Sequence, residues 1–251
     1  MKKFRKIFFV VMAFLCTTSL TWGQPEVPNI SLQVNGSTDP GNLSNTVEII
    51  LLFAVLSLLP TIIIMMTSFT RIIIVLSFLR NALATQQNPP TQVLIGLALF
   101  LTFFIMAPVG TEIYDNALNP YFNQQITQEE AFTKGMEPVR NFMFRQTRQK
   151  DILLFTEIAK IKTNEDLKLN DIPNRVLIPS FLISELKTGF QMGFVLFIPF
   201  IIVDMVVAST LMSMGMMMLP PVMISLPFKV LLFILVDGWN LVVKSIVLGF
   251  K

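Results

Sequence analysis

Residues 190–224 read FQMGFVLFIPFIIVDMVVASTLMSMGMMMLPPVMI, and Asp204 is the only charged residue among them. A run of this length is typical of a segment that enters a bilayer, because about 20 apolar residues in a helix span the hydrocarbon core. Backbone polar groups in lipid must bond to one another, so only helices and closed barrels can cross it. The strict alternation of a barrel strand is absent, and we therefore predict an all-α membrane protein.

The rest of the chain repeats this apolar character on both sides of a hydrated middle. Residues 111–187 hold 10 Lys or Arg and 11 Asp or Glu, out of 35 formal charges in the chain. We predict two bent helical hairpins, 47–110 and 188–251, with four nominal transmembrane segments. The insert 111–187 between them is predicted to be mainly helical, with amphipathic helices at 129–147 and 151–161.

The N-terminus has the pattern of a secretion signal. Residues 1–23 combine four early cations with a short apolar stretch and a plausible cleavage site after Gly23, so we predict a signal peptide. An uncleaved anchor is the alternative. Residues 24–46 then form a short periplasmic arm. With residue 24 outside the cytoplasm, the basic loop 80–92 is expected on the cytoplasmic side and the insert in the periplasm.

Two of the apolar blocks are longer than a bilayer needs. Residues 47–79 would form a helix about 50 Å long, against a hydrocarbon core of about 30 Å. Such helices either protrude from the bilayer or break. Proline is the usual cause of a break, so we predict kinks or breaks at Pro60, Pro108 and Pro199.

Composition excludes several classes of chemistry. The chain has no His, and its one Cys, Cys16, lies in the predicted signal peptide. Ser-His-Asp and Cys-His catalysis and imidazole-ligated metal sites are therefore excluded. No phosphate loop is present, and the net charge of +3 includes no basic patch for nucleic acid. We predict no enzyme activity and no cofactor.

The few charges in the apolar segments are candidate functional residues, since a charge at the centre of a membrane helix costs at least about 2.5 kcal/mol. Arg71 is interpreted as a cation that snorkels from a helix end. The C-terminal half has three acids and three bases, which indicates ion pairing between helices or subunits, with a proton relay as the alternative. They are Glu185, Lys187, Asp204, Lys229, Asp237 and Lys244.

Five methionines in seven residues precede Pro220 and Pro221, and three interpretations are open. Methionine is a flexible filler of irregular cores. Its thioether is also a soft ligand for copper(I). A third interpretation is a compliant apolar gasket that closes a pore against water. The residues are Met212, Met214, Met216, Met217 and Met218.

A string of motifs runs through most of the chain. They include MTSFTRI at 66–72, PP at 89–90, QVLIGLA at 92–98, SELK at 184–187, GF at 193–194, LMSMGM at 211–216 and DGW at 237–239. In this order they resemble the FliP family of the flagellar export apparatus and its counterparts in virulence injectisomes. The resemblance covers roughly residues 47–251.

The resemblance implies a protein-export gate in the bacterial inner membrane, at the flagellar basal body. Family members form a ring, usually of five copies, that joins FliQ, FliR and other export-apparatus membrane proteins and passes unfolded flagellar subunits. The residues that match the pore-closing loop are Met216, Met217 and Met218. Those that match a charged contact between neighbouring subunits are Glu185 and Lys229.

Three alternatives to the flagellar gate remain open from the residues. A virulence injectisome would use the same core motifs. A solute or metal-ion transporter would use the methionine and aspartate side chains as ligands. A structural scaffold would have no conducting path at all.

Overall fold

The computed structural model describes residues 40–85, 88–161, 169, 172–216 and 218–250, and the secondary structure of these residues is entirely helical. The all-α fold class is therefore confirmed. A π-helical turn at Tyr114–Leu118 joins the third helix to the fourth. The helices are α1 Pro40–Met65, α2 Phe69–Ala82, α3 Thr91–Ile113, α4 Asn119–Phe122, α5 Gln128–Gln146, α6 Gln149–Ile158, α7 Asn174–Ser213, α8 Pro221–Leu235 and α9 Gly238–Leu248.

The predicted signal peptide 1–23 and the first part of the predicted arm lie outside the described residues. The arm's last residues, 40–46, belong to α1. The chain divides into two compact units, and the first ends at Phe53. The described part of that first unit is the start of α1, where residues 50–53 are exposed.

Two helices of the described chain are long and apolar enough to cross a membrane by themselves. They are the continuous run Thr91–Phe122 and α7. Two further spans arise if each bent pair counts as one: Ile49–Met65 with α2, bent by 70°, and α8 with α9, bent by 65°. Each hairpin therefore contains one bent arm, as predicted. The four nominal transmembrane segments are the largest number of spans, reached only if each bent pair counts as one.

The prediction of breaks at three prolines is wrong, whereas the prediction of kinks there stays a prediction. The helices continue through Pro60, Pro108 and Pro199. The first bend lies at residues 66–68, where the Thr67 hydroxyl donates to the Ile64 carbonyl at 2.6 Å. A short hydroxyl side chain competes in this way with the helical backbone bonds.

The second bend lies at Asp237, between α8 and α9. This residue adopts a left-handed conformation with φ 51°. An L-residue in that conformation cannot continue a right-handed helix. The chain therefore turns at Asp237, and α9 starts at Gly238.

Helix α7 is the longest element of the described chain, with 40 residues. Its length is about 60 Å, roughly twice the hydrocarbon core of a bilayer. The predicted boundary between the insert and the C-terminal hairpin, at residues 187 and 188, lies inside this helix. One continuous element therefore joins the two.

Two hydrophobic cores pack against different parts of α7. The first combines α2 with residues of α3, α7, α8 and α9, for example Leu76, Ala98 and Phe200. The second combines α5 and α6 with the start of α7, for example Met143, Ile152 and Leu177. The predicted amphipathic helices 129–147 and 151–161 correspond closely to α5 and α6.

Glycines let α2 and α7 approach each other closely. A Cβ added to Gly193 would lie 2.5 Å from Cγ of Phe78, and one added to Gly189 would lie 3.1 Å from Cγ2 of Ile74. The Phe78 contact is with the root of the ring, which cannot swing away without a change of rotamer. Gly193 therefore fixes the distance between the two helices.

We expect the Gly193→Ala substitution to destabilise the protein by about 1–3 kcal/mol, because overpacking forces neighbouring side chains out of their rotamers. The measurement is thermal unfolding of the protein in detergent. The matched control is Gly96→Ala, since a Cβ at Gly96 meets nothing within 4 Å. Alanine is the better helix former, so the control should melt at the same or a higher temperature. Equal melting of the two variants would contradict the close approach.

Candidate functional site

Arg71, in the first turn of α2, forms a buried ion pair with Glu185 of α7. Its Nε donates to Glu185 Oε2 at 2.9 Å, and its Nη2 donates to Glu185 Oε1. The side chains are 2% and 0% exposed. The interpretation of Arg71 as a snorkelling cation is therefore wrong. The side chain turns inward because a carboxylate on the facing helix satisfies two of its donors at once.

The remaining donors of Arg71 bind two other segments. Nη1 donates to the Gly249 carbonyl at 2.9 Å, and Nη2 donates to Gln146 Oε1 at 3.1 Å. The guanidinium carbon also lies 3.9 Å from the centroid of the Phe250 ring, a cation–π distance. Arg71 therefore joins α2 and α7 to the end of α5 and to the residues that follow α9.

A second charge pair, between a buried lysine and a half-buried aspartate, joins α7 to α8. Lys229 Nζ lies 2.6 Å from Asp204 Oδ2 and donates to the Ala82 carbonyl at 3.2 Å. The Ser225 hydroxyl donates to the other carboxylate oxygen, Oδ1, at 2.5 Å. Lys229 is 2% exposed and Asp204 is 28% exposed. The site therefore ties the end of α2 to both arms of the C-terminal hairpin.

The structure does not bring Glu185 and Lys229 together. Each has its own partner in the same chain, Arg71 for Glu185 and Asp204 for Lys229. Glu185 and Lys229 are therefore each engaged in a pair between two helices of the same chain. The contact between neighbouring subunits through Glu185 and Lys229 stays a prediction.

The other candidate charges are on the surface of the chain. Lys187, Asp237 and Lys244 are exposed, and among the described residues none of them forms an ion pair. Asp237 makes the left-handed turn before α9. This role depends on its backbone conformation and does not involve its carboxylate.

The methionine loop, residues 212–218, begins at the C-terminal end of α7, where the chain makes a tight turn. Gly215 has φ +75°, and its N–H donates to the Met212 carbonyl at 3.1 Å. The N–H of Met216 donates to the Leu211 carbonyl at 3.0 Å. These two bonds form a Schellman motif, which satisfies carbonyls at the end of α7. Glycine at this position is required by the positive φ and not by helix packing.

The described methionines of this loop are on the surface of the chain. Met214 is 70% exposed and Met218 is 98% exposed, while Met212 and Met216 are also exposed. Met217 lies outside the described residues. The interpretation of these residues as filler of the chain's own core is therefore wrong.

Several residues of the two charge sites could not be selected from sequence. Gln146 and Gly249 lie 75 and 178 residues from Arg71, and neither belongs to a recognisable motif. Ser225 could have been selected from sequence, because it precedes Lys229 by four residues and therefore lies on the same face of the helix.

The described part of the chain contains no group of three or more His, Cys, Asp or Glu that could hold a metal ion. A comparison with family models matches the chain to the FliP family over residues 52–246. The chain belongs to the FliP family. The matched range includes both buried charge pairs and the methionine loop.

Relatives of this FliP-family chain have the same family name in several bacteria. The flagellar biosynthetic protein FliP of Bacillus subtilis (strain 168) is 60% identical over 222 residues, which are 88% of this chain and 100% of that protein. The FliP of Pectobacterium carotovorum is 56% identical over 205 residues, 82% of this chain and 79% of that protein. The FliP of Aquifex aeolicus is 48% identical over 226 residues, 90% and 93% of the two chains.

We expect the Arg71→Met substitution to destabilise the protein by about 3–5 kcal/mol, because it leaves the Glu185 carboxylate buried without its cation. The measurements are the amount of full-length protein in membranes and thermal unfolding in detergent. Lys187→Met removes an exposed charge from the same helix as Glu185 and should leave both unchanged.

The double variant Arg71→Met with Glu185→Met distinguishes loss of the pair from loss of one charge. Replacing a whole buried pair by apolar side chains is often neutral, so the double variant should recover most of the lost stability. A double variant as unstable as Arg71→Met would contradict this account of the site.

Proposed function

We propose that this chain is a subunit of the flagellar type III protein-export gate, at the basal body in the bacterial inner membrane. With FliQ and FliR it forms the pore through which unfolded flagellar subunits leave the cytoplasm. Membership of the FliP family supports this proposal, as do relatives named flagellar biosynthetic proteins. Those names favour the flagellar system over an injectisome.

The observation that carries the proposal is the amount of apolar surface that the chain leaves uncovered. Exposed apolar side chains are found along α7 and α8, including Phe194, Met205 and Leu235. Because α7 is about twice as long as the hydrocarbon core, lipid can cover only part of it. The rest requires protein, which supports a ring of sister subunits, five by family resemblance, together with FliQ, FliR and other export-apparatus membrane proteins.

The methionine loop is the proposed gate, with Met216, Met217 and Met218 closing the pore. Unbranched thioether side chains adapt to irregular surfaces, so they can seal against one another and yet yield to a passing chain. Flexible methionine-rich surfaces also accept partners of varied sequence. The gate itself is passive, and energy for export comes from other components.

Replacing Met216, Met217 and Met218 by Gly should make the assembled gate leak small ions while the ring still forms, since the apolar seal is lost. The measurement is ion flux through liposomes that contain the purified complex, with the complex mass as the check on assembly. Met65→Gly, at an exposed position at the end of α1, is the control outside the loop. An ion-tight membrane with an intact ring would count against the gasket.

The contact between neighbouring subunits through Glu185 and Lys229 belongs to the same proposal. Glu185 and Lys229 are each buried and paired within one chain. For them to form a contact between subunits, Glu185 has to leave Arg71 or bind it and a neighbour's lysine together, and Lys229 has to do the same with respect to Asp204. The two arrangements of charges predict different rescues.

If the pair joins subunits, Glu185→Lys combined with Lys229→Glu should restore the ring that each single reversal abolishes. If only the pairing within the chain matters, Asp204→Lys with Lys229→Asp should restore it instead. The readout is the mass of the complex extracted in detergent. Rescue by the second double reversal alone would remove Glu185 and Lys229 from the subunit contact.

The alternative functions differ from the gate in what a purified sample does. A copper or solute transporter would move its substrate as this chain alone, with a metal-dependent phenotype. A scaffold would never meet cargo, so crosslinks from a stalled export substrate to the methionine loop would exclude it.

A further inference from the structure

The described methionines of this chain range from exposed to buried. The exposed group includes those described in the methionine loop, up to 98% for Met218, and also Met205 and Met223 on the flanking helices at 67% and 62%. The buried group includes Met143 and Met66, which are 0% and 7% exposed in the second core. The two groups have the same chemistry and differ in the access of solvent to the sulfur. This contrast separates methionines that an aqueous reagent reaches from those it does not.

The loop structure maintains that exposure. The Schellman motif closes α7 on itself through Gly215 and Met216, so the turn's backbone bonds are satisfied without any contribution from the methionine side chains. Pro220 and Pro221 then set the start of α8. No neighbouring helix of the described chain covers Met214 or Met218.

An exposed thioether is a target for oxidation to the sulfoxide. A hydroperoxide transfers one oxygen atom to the sulfur as its O–O bond breaks, and water or an alcohol leaves. The sulfur is oxidised by two electrons and the peroxide is reduced by two. Methionine sulfoxide reductases reverse the change.

From this exposure we infer that the methionine loop is an oxidation site, at which a hydroperoxide converts Met218, the most exposed of the described methionines, first, and that a loop carrying sulfoxides no longer excludes water from the channel. The first part stands on the geometry of this chain. The second part, the effect on the channel, rests on the proposed function.

Oxidation to the sulfoxide removes the apolar character on which the proposed seal depends. It turns a flexible apolar side chain into a polar and chiral one. Its oxygen accepts hydrogen bonds from water, so a ring of such side chains recruits water where thioethers exclude it. Oxidation therefore opens the seal to ions without any loss of ring structure, and reduction closes it again.

The first experiment maps the reaction and does not depend on any channel. The full chain, purified in detergent, is pulsed with hydrogen peroxide, digested, and each methionine peptide is quantified by mass spectrometry. Met214 and Met218 should be oxidised severalfold faster than Met143 and Met66. Equal rates for Met218 and Met143 would overturn the site.

The second experiment measures the consequence in liposomes that contain the purified complex. Hydrogen peroxide should raise ion flux through the wild-type complex, and a methionine sulfoxide reductase with its reductant should lower it again. A variant with Leu at all five methionine positions of the loop keeps an apolar seal that cannot be oxidised, so its flux should not respond. Met65→Leu, at an exposed position on α1 outside the loop, should respond as the wild type does.

The outcomes separate this inference from the proposed function. If glycine at Met216–Met218 makes the gate leak but mapped oxidation of the loop does not, the inference about water exclusion fails and the gate stands. If the glycine variant is ion-tight, the gasket fails, and the oxidation map alone decides whether the loop is a modification site. Peroxide-induced flux in the Leu variant would also overturn the inference, because the sulfur would not be its cause.

Discussion

One buried guanidinium, that of Arg71, links the main parts of the fold. Taking Arg71 and Glu185 out of water costs several kcal/mol per charge, and their attraction offsets that cost only when the geometry is good and the remaining donors are bonded. Arg71 meets both conditions, because its donors bind Glu185, Gln146 and the Gly249 carbonyl. The same bonds link the two hairpins and the insert, so removal of Arg71 alone leaves buried groups on several helices without a partner.

Helix α7 connects the parts of that arrangement. It contributes to both hydrophobic cores and holds the acidic partner in each buried pair, Glu185 and Asp204. Its other faces are apolar and exposed, and it ends in a turn that presents thioethers to solvent. The two ion pairs of α7 are formed within the chain, whereas much of its apolar surface is left uncovered. Membership of the FliP family fits a protein that completes its burial by assembly.

The sequence predicted what depends on local pattern and missed what depends on distant contacts. Apolar block length and amphipathic periodicity predicted the hairpins and helices α5 and α6, since both signals are read within one element. The bends were misplaced because proline was taken as the breaker, whereas the Thr67 hydroxyl and the left-handed Asp237 mark them. The partners of Arg71 could not be predicted, because nothing local links it to Glu185, 114 residues away.

That separation along the chain has a consequence for biogenesis. At bacterial rates of synthesis a gap of 114 residues corresponds to on the order of ten seconds of translation, and the 178 residues to Gly249 take longer still. Until α7 has been synthesised, Arg71 of α2 lacks the carboxylate with which it pairs in the folded chain. The packing around Arg71 can therefore form only late, when the distal helices arrive.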